Sequence, residues 1–79
     1  MHNAADRRHI QEAIAEVQDA LPLVSADVRS YGDIDLVDRI EANATELRVA
    51  ERSGSAETAH EYARNVAAMA IEYMARGLA

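Results

Sequence analysis

The sequence contains no cysteine, no lysine, no phenylalanine and no tryptophan. Without cysteine, disulfide bonds and thiolate-bound zinc sites are excluded. Without lysine, the chain can hold neither a Schiff-base lysine nor the lysine of a phosphate-binding loop. At 79 residues it is also short enough to be marginally stable alone, and such chains usually add disulfides, a metal or a partner subunit. The composition favours the partner subunit, so we expect a homodimer.

Long apolar runs are also missing. No stretch approaches the roughly 18 apolar residues of a membrane span, and residues 1–6 lack the apolar core of a signal peptide. These two absences predict a cytoplasmic protein without a membrane partner. The net charge is −6, and because an acidic surface repels phosphates, direct nucleic-acid binding is disfavoured.

The residues that are present favour helices. Hydrophobic residues make up 49% of the chain, and the commonest of them is alanine, the best helix former. No segment alternates with the period of two that a strand requires. We predict a single all-α domain over residues 1–79, a small bundle of three to four helices completed by dimerisation. The helices should span about 6–21, 22–31 (a short helix or a bent continuation), 33–52 and 56–76.

The first helix should begin with Asn3 as its cap and Asp6 three residues later, where a capping box places an acid. Pro22 interrupts the helical pattern, because proline removes a backbone hydrogen bond and clashes with the preceding turn. The apolar spacing nevertheless continues in phase beyond it. We therefore favour a bend or brief break over an unrelated second helix. The apolar seam before the proline is narrow, enough for one neighbour, and consists of Ile10, Ile14, Val17 and Leu21.

The two remaining helices should form an antiparallel hairpin, because only Ser53, Gly54 and Ser55 separate them. Gly54 is expected to adopt the left-handed conformation that ends a helix, and Gly77 to end the last one. The apolar stripe of the second helix is predicted to contain Val37, Ile40, Ala44 and Leu47, with Leu36 at one edge.

The last helix has an apolar arc that covers about half of its circumference, wider than an ordinary surface helix. Such a helix usually contacts two neighbours, here its own hairpin and a second chain. Tyrosine is enriched in protein interfaces, and methionine adapts to irregular surfaces. The stripe predicted to mediate self-association consists of Tyr62, Val66, Met69 and Tyr73.

Acidic residues cluster around the start of the second helix. Asp33, Asp35 and Asp38 are the candidates for an acidic partner-binding face. Charge clusters of this kind are often no more than a solvated surface. The functional alternative is a face that imitates nucleic acid and occupies a basic site on another protein, since complementary charge speeds encounter and selects partners.

One pattern points to metal chemistry. Glu57 and His60 have the Glu-x-x-His spacing with which ferritin-like bundles place two metal ligands on one helix. However, Glu57 also has an ordinary role as an acid in the first helical turn. We expect no metal and no cofactor, and keep a ferritin-like metal-binding subunit as the second alternative.

No side-chain pattern provides a nucleophile, a base and an orienting group, so we expect no enzymatic activity. The sequence predicts a protein–protein interaction module, a small regulatory or inhibitory protein with a partner of unknown identity. An alanine- and arginine-rich chain without lysine would suit an accessory gene of a GC-rich bacterium, its phage or a mobile element. The first alternative is an acidic, nucleic-acid-mimicking inhibitor of a nucleic-acid-binding complex.

Overall fold

The computed structural model describes residues 6–79, and these residues form three α-helices and no strand. The helices are α1 (Arg7–Val28), α2 (Asp33–Arg52) and α3 (Ala56–Leu78). The all-helical fold class predicted from the sequence is confirmed. Among the described helices, none is both long and apolar enough to cross a membrane.

Helix α1 begins at Arg7, one residue after the predicted start near residue 6, and Asp6 is not the acid of a capping box. The carboxylate of Asp6 accepts a hydrogen bond from the backbone N–H of His9, at 2.8 Å, and Asp6 is therefore the N-cap. The proposed cap Asn3 lies outside the described residues. Pro22 lies inside α1, and no separate helix begins there. The helix can tolerate the missing hydrogen bond of Pro22 because Val24 and Val28, which follow it on the same seam, pack against the interior of the chain.

The buried face of helix α2 coincides only in part with the predicted apolar stripe. Leu36, expected at the edge, is fully buried, whereas Val37, expected at the centre, is 39% exposed. The prediction was right for Ile40 and Leu47 and wrong for Val37, so the buried face is rotated toward Leu36 by less than the 100° or so that separates consecutive residues. The buried face continues along the helix with half-buried Ile40 and Leu47 and ends at buried Ala50.

Of the two glycines that were expected to end helices, Gly54 does so and Gly77 does not. Gly54 has a φ of 77°, and no other residue of the described chain has a positive φ. It closes the turn between α2 and α3 in the left-handed conformation that glycine adopts without steric cost. Gly77 is not a helix stop: α3 continues through it to Leu78. Glycine in a helix costs only about 1 kcal/mol relative to alanine, too little to end the helix by itself.

Helix α3 is the central element of the fold. It packs against both α1 and α2, whereas α1 and α2 make only marginal contact with each other. Its wide apolar arc therefore has two neighbours within one chain, and its buried residues are Ala59, Ala68 and Met69. The main core cluster lies where α1 ends and α2 begins, and it combines Val28, Leu36 and Met69 with the partly buried Val24, Tyr31 and Ile40.

Candidate protein-binding surfaces

The core cluster is closed by one arginine near the end of α3. The guanidinium of Arg76 donates hydrogen bonds to the backbone carbonyls of Tyr31, at 2.8 Å, and Val28, at 3.0 Å. The Val28 carbonyl at the end of α1 lacks an intrahelical partner; it accepts from the backbone N–H of Tyr31 and, from a different helix, from Arg76. This contact fixes the α1–α2 connection onto α3.

Two carboxylates hold this arginine in place. Glu72 accepts from Arg76 Nε at 3.0 Å, and Asp33 accepts from Nη1 at 3.2 Å. The Ser25 hydroxyl and then the Arg76 guanidinium hold the pKa of the Glu72 carboxyl below its usual range, because both stabilise its charged form. Asp33, predicted as part of an acidic face, therefore also helps to hold the fold together.

The structure places two of the three predicted aspartates, Asp33 and Asp38, beside an apolar centre, whereas Asp35 lines a separate hollow on the other side of Asp38. Asp33, Asp35 and Asp38 are all exposed, and a shallow hollow beside Asp33 and Asp38 is lined by apolar side chains from α2 and α3. These are Ile34, Val37 and Tyr73, which are 76%, 39% and 46% exposed. The acidic patch is defined here as these three aspartates with Ile34, Val37 and Tyr73.

The stripe predicted for self-association is not presented as one exposed surface. Met69 is only 3% exposed and belongs to the core cluster of its own chain. Tyr62 and Val66 are half-buried, and Tyr73 is a member of the acidic patch. The physical reason is that α1 and α2 both pack on α3, and together they cover most of the apolar arc that was predicted to contact a second chain.

A different apolar surface is open, and the sequence interpretation did not assign it to binding. Residues 6–15 are all exposed, so the first turns of α1 are poorly covered. Ile10 and Ile14 are 50% and 52% exposed. Together with α3 they form a groove of about 370 Å³, the α1–α3 groove, lined by one polar residue, Gln18, and by the apolar Ile10, Ala13, Ile14, Val17, Ala67 and Ile71. In the sequence, this groove is indicated only by the 4, 3 spacing of apolar residues along α1. That spacing does not show that the residues stay exposed.

The residues of the metal hypothesis do not converge. His60 Nε2 lies 2.7 Å from one carboxylate oxygen of Glu16 and 2.9 Å from the other. This contact joins α3 to α1 beside the groove, and it occupies the histidine that was a candidate ligand. Within residues 6–79, no group of three or more histidine, aspartate or glutamate side chains is placed to hold a metal ion.

Comparison with known proteins identifies no relative of this chain from which the role of these surfaces could be inferred. No protein-family model matches the sequence, and no curated protein or solved structure matches it either. The chemistry of the two exposed surfaces is therefore the basis for a functional assignment.

Proposed function

We propose that this chain is a non-enzymatic protein-binding module, a cytoplasmic homodimer that regulates or inhibits a protein partner bound at the acidic patch. The observation that supports the proposal is the exposed apolar centre of Ile34, Val37 and Tyr73 with aspartates at its edge. Protein interfaces commonly combine an apolar centre that contains aromatic residues with a polar rim.

The rim predicts the charge of the partner. Three exposed aspartates on a chain of net charge −6 attract a basic surface and raise its association rate. Asp33 is already held by Arg76, so little side-chain freedom is lost there on binding, and a preorganised surface binds at lower entropic cost. The expected partner surface carries arginine or lysine around an apolar pocket.

The acidic, nucleic-acid-mimicking inhibitor is the second candidate, and the exposure of all three aspartates supports it. The two candidates differ in the role of the apolar centre. A mimic binds mainly through charge, whereas a protein-binding surface also needs the aromatic ring of Tyr73. Tyr73→Ala therefore distinguishes them.

The test begins with capture of partners by the immobilised chain from the organism that encodes it, followed by purification of each captured protein. The dissociation constant is then measured for four forms of the chain. These are the native sequence, Tyr73→Ala, Asp35→Arg with Asp38→Arg, and Glu51→Arg with Glu61→Arg. The last variant changes the net charge equally, and both of its residues are exposed away from the acidic patch. Circular dichroism verifies that each variant is folded.

We expect Tyr73→Ala to weaken binding about ten-fold or more, as for a hot-spot residue. The Asp35/Asp38 reversal should abolish binding, while the Glu51/Glu61 reversal should leave it close to native. Loss of binding on the aspartate reversal alone, with no effect of Tyr73→Ala, would favour the nucleic-acid mimic. Equal binding by all four forms would contradict the assignment to the acidic patch.

A further inference from the structure

We propose that the α1–α3 groove is filled by α1 of a second copy of this chain, with the two α1 helices antiparallel. This inference rests on the proposed homodimer and names the surface that forms it. The self-association surface is thereby assigned to Ile10, Ile14 and Ile71 rather than to the Met69 stripe of α3.

The exposed area of the chain supports a second copy. The chain exposes 6147 Å², whereas a folded monomer of 8.6 kDa is expected to expose about 4,700 Å². An allowance of about 800 Å² for the five residues outside the described part, taken from the scaling of unfolded chains, still leaves an excess of about 600 Å². A standard interface takes about 800 Å² from each partner. The excess is therefore close to what one half of a stable dimer would bury.

The lining of the groove suits a helix. Ala13 and Ala67 are small, which allows another helix to approach closely, while Ile10, Ile14 and Ile71 provide the large side chains around them. Each α1 presents the same surface that it would bind. A two-fold axis through this surface therefore satisfies both copies at once, as in an isologous dimer.

The charge distribution along α1 selects the antiparallel orientation. The helix begins with Arg7 and Arg8 and carries Glu12, Glu16 and Asp19 further along. Packed helices lie about 8–10 Å apart, which is within the screening length of about 10 Å at 0.1 M salt. With the two-fold axis near Ile14, an antiparallel pair places Arg7 and Arg8 within about one turn of Asp19 of the other copy and also opposes the helix dipoles. A parallel pair would place the two basic ends together.

The axis is expected to pass near Ile14. In that register Ile14 meets its own copy, and Ile10 lies opposite Gln18 of the second chain. With a rise of 1.5 Å per residue, the two copies of residue 7 would then be about 21 Å apart along the axis. The residues of the acidic patch do not line the groove, so the dimer would present two patches, and a multivalent partner would bind it with avidity.

The absence of cysteine makes the test direct, because each introduced thiol is the only one in its chain. The variants Ile14→Cys, Arg7→Cys, Gln18→Cys and Glu12→Cys are treated with a short bismaleimide, and cross-linked dimer is measured by denaturing electrophoresis. Glu12→Cys is the matched control, because Glu12 is exposed on the same helix but about half a turn away from Ile14 and the groove.

We expect about ten-fold more cross-linked dimer for Ile14→Cys than for Glu12→Cys. Arg7→Cys should not cross-link to itself, while an equal mixture of Arg7→Cys and Gln18→Cys should give more cross-linked dimer than Gln18→Cys alone. Self-cross-linking of Arg7→Cys would overturn the antiparallel orientation. The masses of the native and variant chains are measured by light scattering in parallel. They distinguish failure of the groove assignment from failure of the homodimer proposal. A native dimer without the Ile14→Cys cross-link, in a variant that remains dimeric, overturns the groove alone, whereas a native monomer overturns the dimer as well.

Discussion

The two halves of α1 continue the same apolar seam but differ in what covers them. In the C-terminal half, Val24 and Val28 join the core cluster, and Arg76 binds the carbonyl of Val28. In the N-terminal half, residues 6–15 are all exposed, and Glu16 reaches α3 through a single side-chain contact with His60. We call the C-terminal half of α1 the closed end and its N-terminal half the open end.

The difference between the ends comes from the position of α2. Its first turns place Leu36 beside Val28 and Met69 at the closed end. Because α2 hardly touches α1 elsewhere, nothing equivalent covers Ile10 and Ile14. The same sequence periodicity thus produces a core at one end, where a third helix is present, and an exposed groove at the other.

The largest effect is expected for Leu36→Ala at the closed end. Leu36 is fully buried, and truncation of a buried leucine to alanine costs about 2–5 kcal/mol. A chain of this size has a total stability of only about 4–12 kcal/mol, so the variant should be close to unfolding. Urea titration followed by circular dichroism measures this. Ile34→Ala, two residues away and 76% exposed, is the control and should change the stability by less than about 0.5 kcal/mol; equal losses would contradict the assigned core.

The next effect is expected for Arg76→Gln, which removes the hydrogen bonds to the carbonyls of Val28 and Tyr31. The Val28 carbonyl at the end of α1 and the Tyr31 carbonyl in the connection to α2 would lose their partner from α3, and Tm should fall, though less than for Leu36→Ala. Arg48→Gln removes the same charge at an exposed position of α2 and should leave Tm nearly unchanged. A common shift in both variants would mean that net charge, rather than the cap, is responsible.

A smaller effect at the closed end should appear in acid. The pKa of Glu72 is lowered in the folded chain by Ser25 and Arg76. This stabilisation is therefore fully present above the ordinary glutamate pKa of about 4.3, and it is lost as pH falls through the lower folded value. The free energy of unfolding should decrease less steeply with acid in Glu72→Gln than in the native chain, as measured by urea titrations at successive pH values. Glu46→Gln, at an exposed position of α2, is the control; a slope for Glu72→Gln that equals the native one would refute the role of Glu72.

The smallest effect is expected for the Glu16–His60 contact at the open end. Both side chains are substantially exposed, and exposed ion pairs contribute only about 0.2–1 kcal/mol. A double-mutant cycle with Glu16→Ala and His60→Ala measures the coupling free energy. A coupling as large as the loss from Leu36→Ala would show that the open end is held as firmly as the closed end.

Local features of the fold could be predicted from the sequence, whereas the pairing of surfaces could not. Gly54 ends α2 because its left-handed conformation is a property of one residue. The buried position of Leu36 depends on how far α2 is rotated against α3, which apolar spacing fixes only to within about one residue. The identity of the two helices that cover α3, and hence the burial of Met69, depends on tertiary packing that no helical pattern encodes.

The acidic patch was only partly predictable for the same reason. Asp33, Asp35 and Asp38 are neighbours in sequence, so their common exposure at the start of α2 could be expected. Tyr73 joins them from a different helix, and its stripe had been assigned to self-association instead. The groove could not be predicted, because the α1 seam indicates one neighbour but not that α3 covers only part of it.

The most direct test of the difference between the two ends is the mass of the native chain, measured by sedimentation equilibrium from micromolar to millimolar concentration. If a second copy covers the open end, the mass should be twice 8.6 kDa over most of this range. Ile14→Glu should then remain helical and sediment as a monomer, because Ile14 is half-exposed and a buried carboxylate would oppose pairing. A native chain that sediments as a monomer at every concentration would contradict the proposed pairing.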